Sequence, residues 1–354
     1  MSKIPVAVLG ATGNIGQRFV SLLQDHPSFE LAALSSSERK VGGRLGDFWR
    51  LEDAPLDSRV ASMELQPLDV EVLRKRDIVA AFSALPSEVA ADLEREAARA
   101  GVRIFSNASP HRLDEDVPLL VPEVNPDHLA LVERQPTFRD GGFVVTNPNC
   151  SITGLALALK PLSDAFDLSE VHAATYQALS GAGYPGVPSL DITANVVPFI
   201  ENEEEKMRRE AKKILGRWSD GIAPSSIDVW ANCVRVAVRE GHLEAISIPL
   251  AEDVDPTEVA RILASFRGEP QRRELPTAPK QPVIVRGEPN RPQPLLDAMA
   301  GEPTRARGMA ATVGRIRVVG RNLRFFVLSH NTIRGGAGGS VLNAELAQRR
   351  GYLG

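Results

Sequence analysis

Ile4-Pro5-Val6-Ala7-Val8-Leu9-Gly10-Ala11-Thr12-Gly13-Asn14-Ile15-Gly16 is a short apolar run that passes directly into three glycines spaced GxxGxxG. Phe19, Leu22 and Leu23 follow at helical spacing, so the stretch predicts strand, glycine turn and helix in that order. Glycines in such a turn let backbone N–H groups reach a pyrophosphate at the helix N-terminus. The context is that of a dinucleotide-binding unit, although the spacing is a variant of the usual pattern. The next strand, Phe29 to Leu34, ends in Ser35-Ser36-Ser37-Glu38-Arg39-Lys40. An NAD site presents a carboxylate here for the ribose 2′-hydroxyl, whereas hydroxyls and Arg39 suit a 2′-phosphate and favour NADP. Glu38 is the feature that argues the other way.

The α/β alternation continues through a strand at Ile78 to Phe82, the turn Ser83-Ala84-Leu85-Pro86-Ser87, a helix from Glu88 and a strand from Val102 to Phe105. Ser83 to Leu85 therefore fall at the carboxyl end of a parallel strand, where open sheets bind ligands. The Pro-rich passage from Ser106 to Asn125 reads as a long surface connection, with Asp114 to Asp116 a solvated acidic face. Beyond about Asn147, strands outnumber helices: Glu170 to Ala178, Ile227 to Val238, Leu243 to Pro249, Val283 to Val285, Ala310 to Val319 and Leu323 to Leu328. That composition predicts an α+β domain on a mainly antiparallel sheet. A glycine-rich stretch, Asn331 to Ser340, then leads into a C-terminal helix.

Length and composition narrow the function. A chain of 354 residues is long enough for two domains, and 43% hydrophobic with 24% charged residues is a globular balance. A formal charge of -4 with no basic run speaks against nucleic acid. No apolar run approaches a membrane span, and Met1 to Pro5 leave no room for a signal peptide, so a soluble cytoplasmic protein is expected. Cys150 and Cys233 form neither a disulfide framework nor a zinc spacing, so no metal is expected.

Cys150 lies in Thr146-Asn147-Pro148-Asn149-Cys150-Ser151-Ile152-Thr153-Gly154, between an apolar strand at Phe143 to Val145 and a helix at Leu155 to Leu162. A cysteine at a helix N-terminus ionises more readily and becomes a nucleophile; the alternative is a buried cysteine that fills space. Asn149 offers an amide beside the sulfur, and backbone N–H groups near Cys150 are expected to hold an oxyanion. Of six histidines His242, after Gly241, is the best proton carrier, against the plain alternative of an exposed turn histidine. Arg235, in the strand Cys233 to Val238, must find a partner, either a substrate carboxylate or a buried structural acid. Ser180-Gly181-Ala182-Gly183-Tyr184-Pro185-Gly186 is a second glycine-rich turn, preceded by Gln177, and Glu203-Glu204-Glu205-Lys206 opens a helix whose acids complement its dipole.

Taken in order along nearly the whole chain, these motifs resemble the aspartate-β-semialdehyde dehydrogenases, in the branch typical of archaea and fungi. The resemblance implies an N-terminal Rossmann-like NADP-binding domain, residues 1–147 joined by the C-terminal helix of 331–354, and a catalytic and oligomerisation domain, 148–330. It implies Cys150 as acyl-thioester nucleophile, His242 as general acid/base, Gln177 orienting substrate, and Arg235 on its α-carboxylate. Glu203 and Lys206 match the family's pair on the substrate helix, and Arg112 and Asn149 match residues associated with phosphate. Gly10, Thr12, Gly13, Asn14, Ile15, Ser36, Arg39, Ser83, Leu85, Ser180, Gly181 and Asn331 would line NADP. The reaction implied is reduction of L-aspartyl 4-phosphate to the semialdehyde in aspartate-family amino-acid biosynthesis, by a homodimer or homotetramer. A malonyl-CoA reductase shares the thioester logic and is the nearest alternative; an N-acetyl-glutamyl-phosphate reductase and a non-catalytic NADP-binding regulator are more distant ones.

Overall fold

The structure is a computed structural model that describes residues 3–354; Met1 and Ser2, included in the expected first domain, lie outside the described residues. Among the described residues the chain forms two compact units. One contains the residues up to Leu120, His128–Asn147 and Ala337–Gly354; the other contains Val121–Asp127 and Pro148–Gly336.

The first unit is built on a five-stranded sheet of β1 (Ile4–Leu9), β2 (Phe29–Ser35), β3 (Ala80–Ser83), β4 (Arg103–Ser106) and β5 (Phe143–Thr146), in the order β2-β1-β3-β4-β5. Every pairing is parallel. Val6 to Leu9 are buried on both faces, which is why they read as a continuous apolar run and not as an alternation. Phe19, on helix α1 (Asn14–Leu23), meets Phe82, and across β3, β4 and β5 Phe82 stacks on Phe105, which meets Phe143 edge to face. Helix α2 (Ser87–Arg99) supplies the crossover between β3 and β4, and the C-terminal helix Gly338–Arg349 belongs to this unit, where Glu345 holds the buried His26 at 2.8 Å.

The expected surface connection from Ser106 is largely buried. Val117, Leu119 and Leu120 are in the core, and Leu119 bridges Thr146 as a parallel partner of β5. Its apolar residues cluster around Pro118 and Pro122, which interrupt both strand and helix periods, so the sequence pattern concealed them. Asp114 is not a free acidic face either. Burial works to raise its pKa, but hydrogen bonds with His111 (3.0 Å) and Arg95 (2.8 Å) prevail and hold the carboxyl below its usual range.

The second unit carries a six-stranded sheet. Its elements in chain order are α3 (Cys150–Ala165), β6 (Glu170–Gln177), α4 (Glu203–Ile214), a small hairpin of β7 (Arg217–Ser219) and β8 (Gly221–Ala223), β9 (Asp228–Arg235), β10 (His242–Pro249), α5 (Pro256–Ser265), β11 (Val283–Arg286), β12 (Ala311–Val319) and β13 (Asn322–Ser329). The strand order is β11-β12-β13-β10-β6-β9. The three central pairings are antiparallel, but β11 with β12 and β6 with β9 run parallel, so the sheet is mixed. Helix α3 lies against β13, where a side chain on Gly154 would overlap Ser329. Asp255 caps α5, with Thr257 N–H donating to its carboxylate at 2.9 Å.

Candidate active site

Helix α3 begins at Cys150, five residues before the expected start, because the polar turn is itself the cap. Asn149 is the N-cap: its side-chain oxygen accepts from Ser151 N–H at 2.8 Å and from Ile152 N–H at 3.4 Å. One expectation changes here. The Asn149 amide serves its own helix and the carboxylate of Glu203 (2.9 Å) instead of the sulfur. The Ser151 and Ile152 N–H groups are committed to that cap.

The turn is gripped from α4 by two buried acids on one face of the helix, about two turns apart. Glu210 accepts the Asn149 backbone N–H at 2.6 Å, and Glu203 accepts from Asn149 Nδ2, from Ser151 Oγ (3.3 Å) and from Gln177 Nε2 (3.0 Å). Lys206 follows one turn along α4, partly exposed. Behind the nucleophile, Gly335 sits so close that a Cβ there would lie 2.7 Å from Cys150 Cα. Its turn is anchored by a bidentate pair between buried Arg334 and Glu123, at 2.9 and 2.6 Å.

His242 is the first residue of β10, and its buried ring reaches Cys150 Sγ with Nε2 at 3.2 Å. The other ring nitrogen, Nδ1, accepts from the Ala178 N–H at 3.0 Å. Burial first, then the positive Arg235 and His330, bring its pKa down to about 3, so the ring is neutral near pH 7. Arg235 ends β9 opposite Gln177 of β6 and donates from Nη1 to Ala178 O at 2.7 Å. A Cβ on Gly181 would stand 2.9 Å from that Nη1 and 3.1 Å from the His242 ring, so guanidinium and imidazole converge over this glycine. Burial pulls the Arg235 pKa down, opposed by the negative charges of Cys150 and Glu203. Ser180 donates to Glu240 (2.7 Å) and accepts from Asn331 (2.7 Å), which in turn accepts the Gly241 N–H at 2.8 Å, steadying the residue before His242.

The second cysteine is chemically different. Cys233 lies buried against Met207, and burial pushes its thiol up to about 12. The second unit thus gathers Cys150, His242, Arg235, Gln177, Glu203, Asn149, Ser180, Gly181 and Asn331 around one helix start. Sequence reading missed Glu210, Glu240 and Ala178, because their partners lie far along the chain and no local motif marks them, whereas Gly335 lies in the glycine-rich stretch already singled out at Asn331 to Ser340.

The remaining candidates lie in the first unit. Gly10, at φ 81°, and Gly16, whose Cβ would overlap Gly10 O, let β1 and α1 meet backbone to backbone, with Gly13 as helix N-cap. Thr12, Asn14 and Ile15 are partly exposed around this turn, and Lys40 reaches Thr12 Oγ1 at 2.9 Å. Ser36 and the exposed Arg39, with Ser37, Glu38, Pro67 and Leu68, line a cavity of about 570 Å³. Ser83 and Leu85 are buried at the carboxyl end of β3, and Arg112 Nη2 donates to Asn107 O at 2.8 Å. A bare-backbone helix entrance beside a polar cavity with an arginine fits a dinucleotide carrying a 2′-phosphate. No group of acidic, histidine or cysteine side chains able to hold a metal occurs among the described residues.

Residues 5–132 match the family model for the NAD binding domain of semialdehyde dehydrogenase, and 159–334 match that for its dimerisation domain. The aspartate-semialdehyde dehydrogenase of Archaeoglobus fulgidus is 47% identical over 353 residues, covering 97% of this chain and 98% of its own. The malonyl CoA reductase (NADP) of Metallosphaera sedula is 39% identical over 356 residues, covering 99% and 98%. The crystal structure of aspartate semialdehyde dehydrogenase with NADP from Candida albicans superposes with a TM-score of 0.88 at 36% identity, covering 99% of this chain and all of that one.

Proposed function

This chain belongs to the semialdehyde dehydrogenase family, and on that footing we propose that it is an NADP-dependent aspartate-semialdehyde dehydrogenase acting through a thioester on Cys150. The observation that carries the chemistry is the 3.2 Å contact between Cys150 Sγ and His242 Nε2 at the start of α3, with Arg235 over the same glycine.

In the biosynthetic direction the Cys150 thiolate forms a bond to the acyl carbon of L-aspartyl 4-phosphate, and phosphate departs. Sulfur suits the task because it attacks well, leaves well and keeps the carbonyl electrophilic. Bound NADPH supplies the hydride that reduces the thioester carbon. Collapse of the resulting oxyanion breaks the C–S bond and releases the semialdehyde. Arg235 has committed Nη1 to Ala178, so a bidentate grip on the substrate α-carboxylate uses Nη2 and Nε. Gln177, fixed by Glu203, orients the acyl group, and Lys206, Arg112 and Asn149 are assigned to the phosphate side. The glycine turn from Gly10, Thr12 to Ile15, Ser36, Arg39, Ser83 and Leu85, together with Ser180, Gly181 and Asn331, are assigned to NADP.

Residues 1–147 with the C-terminal helix form the cofactor domain in this reading, and 148–330 the catalytic one. Assembly into a homodimer or homotetramer is supported by the second sheet, whose outer side leaves Tyr176 and Trp230 exposed, Trp230 under the guanidinium of Arg208. No helix among the described residues is long and apolar enough to cross a membrane. A cytoplasmic setting is supported by the free cysteines, of which Cys150 must stay reduced to react. Phosphate-dependent oxidation of aspartate β-semialdehyde with NADP, assayed beside malonyl-CoA reduction with NADPH, tests the assignment. Activity in the first assay alone is expected, and activity in the second alone would replace the acyl phosphate with an acyl-CoA.

A further inference from the structure

Burying a charge pair costs desolvation that the attraction between its members barely returns, so a fully buried pair is weak evidence of a stabilising role. Arg334 is the largest fully buried side chain among the described residues, and Glu123, 3% exposed, is the one partner of its guanidinium. Nη1 and Nη2 reach separate carboxylate oxygens at 2.9 and 2.6 Å, while Nε has no partner. Glu123 alone therefore directs the guanidinium.

Glu123 is itself fixed. It lies in Val121–Asp127, a stretch that joins the second unit although the residues on either side of it belong to the first. Within that stretch Val124 and Asn125 N–H donate to Val121 O, at 2.8 and 3.0 Å, and Val121 N–H donates to Asn125 Oδ1 at 2.8 Å. Gly268 packs so tightly that a Cβ on it would fall 2.5 Å from Glu123 Cα. Gln271 donates to Glu123 Oε1 at 3.3 Å, its own amide being held by Gly268 N–H (2.9 Å) and Pro279 O (3.1 Å). The residue after Arg334 has no side chain: Gly335 presses its backbone against Cys150, and its N–H donates to His330 O at 3.0 Å. The grip on Arg334 thus reaches the first residue of α3 through one peptide.

From this geometry we propose that Glu123 and Arg334 are positioning residues for the nucleophile, a two-pronged clamp that holds the Gly335 turn against α3 and so fixes where the Cys150 sulfur stands. The inference rests on the thioester reading above only in taking Cys150 as the reacting residue. Neither residue touches substrate or cofactor in this role. The clamp acts by place: sulfur and acyl carbon must meet at about 3–3.5 Å and in line, and a shift of roughly 1 Å costs about 10²-fold in rate. A bidentate fork suits the task, because two parallel N–H···O bonds fix angle as well as distance, which a lysine ammonium cannot do.

Removing one partner leaves the other buried without its counter-charge, so a single truncation confuses folding with catalysis. The test therefore replaces both, as Glu123→Leu with Arg334→Met in the full-length protein, Gln271 keeping Pro279 O as its acceptor. Thermal unfolding, NADPH binding, alkylation of Cys150 by iodoacetamide across pH and steady-state kinetics are measured on the same preparation. A clamp predicts a melting temperature within about 4 °C of the parent and unchanged NADPH affinity. It also predicts kcat down by about 10-fold or more with KM for aspartate β-semialdehyde within about 2-fold. The alkylation midpoint should move to higher pH, as the sulfur loses its seat at the helix N-terminus. Parental kcat, or an alkylation profile that does not move, would overturn the proposal and leave the pair a structural one. Arg334→Lys covers the case in which the double variant melts early: it keeps the charge but not the fork, so NADPH binding should hold while kcat falls, and unchanged kcat would again overturn the clamp. Iodoacetamide reads the sulfur without substrate. A shifted profile in a protein that does not oxidise aspartate β-semialdehyde would remove the substrate assignment and leave this inference standing; a parental profile in an active enzyme would do the reverse.

Discussion

At Gly335 a single methyl group meets backbone and not a flexible side chain: it would stand 2.7 Å from Cys150 Cα and 2.8 Å from its Cβ and carbonyl oxygen. Relief requires α3 to shift at its first residue, so Gly335→Ala is expected to cost about 1–3 kcal/mol of stability by overpacking and to lower kcat by much more than that loss alone predicts. Thermal unfolding and steady-state kinetics on the one variant check both effects; unchanged kcat would show that the nucleophile is not seated from behind. Cys150→Ser should lower turnover by at least about 10³-fold while NADPH still binds, since oxygen cannot replace the thiolate here. Titration of cofactor fluorescence alongside the assay separates the two results. Cys150, His242 and Arg235 were legible in the sequence from their local settings: a cysteine opening a helix, a histidine after a turn glycine and an arginine in an apolar strand. Gly335 was legible only as one of a run of glycines, and Glu210 and Ala178 were not, since they contribute a carboxylate on a remote amide and a backbone N–H.

Among the elements, α3 depends on its cap. Asn149→Ala removes the one oxygen that accepts from two N–H groups and a bond to Glu203, and should cost about 1 kcal/mol while raising the pH at which Cys150 is alkylated. An unaltered alkylation profile would detach the cap from reactivity. Strand β10 holds a different liability: Glu244, next but one to His242, is buried with Oε2 unpartnered, and burial followed by Glu203 raises its pKa well above the ordinary value. The folded state therefore keeps a proton that the unfolded state releases above about pH 4.3, so stability falls as pH climbs from there toward the folded pKa, by up to about 1.4 kcal/mol per pH unit. Glu244→Gln should remove that slope, and its melting-temperature advantage should widen between about pH 5 and about pH 8. A constant difference would mean that Glu244 is ionised when folded. Most strands and the start of α4 were readable to within a few residues from period and charge. The parallel edges of the second sheet were not, because strand composition carries no record of direction. The buried passage around Leu119 escaped for want of any period.

For the whole molecule, the glycine turn and its strand already implied a dinucleotide unit, and the first unit adds the cavity lined by Ser36 and Arg39, to which the 2′-phosphate is assigned in the proposed function. Arg39→Ala should raise KM for NADPH by about 10-fold, the equivalent of roughly 1.4 kcal/mol, and leave NADH use nearly unchanged. Equal losses with both cofactors would place Arg39 away from the 2′-phosphate. The central claim is a covalent one, and the most direct measurement is the mass of the Cys150 peptide after the protein is mixed with NADP and aspartate β-semialdehyde without phosphate. An aspartyl thioester on Cys150, formed with about one NADPH per active subunit and discharged when phosphate is added, is the predicted result. NADPH formed while Cys150 stays unmodified, or an acyl group found on another residue, would contradict it.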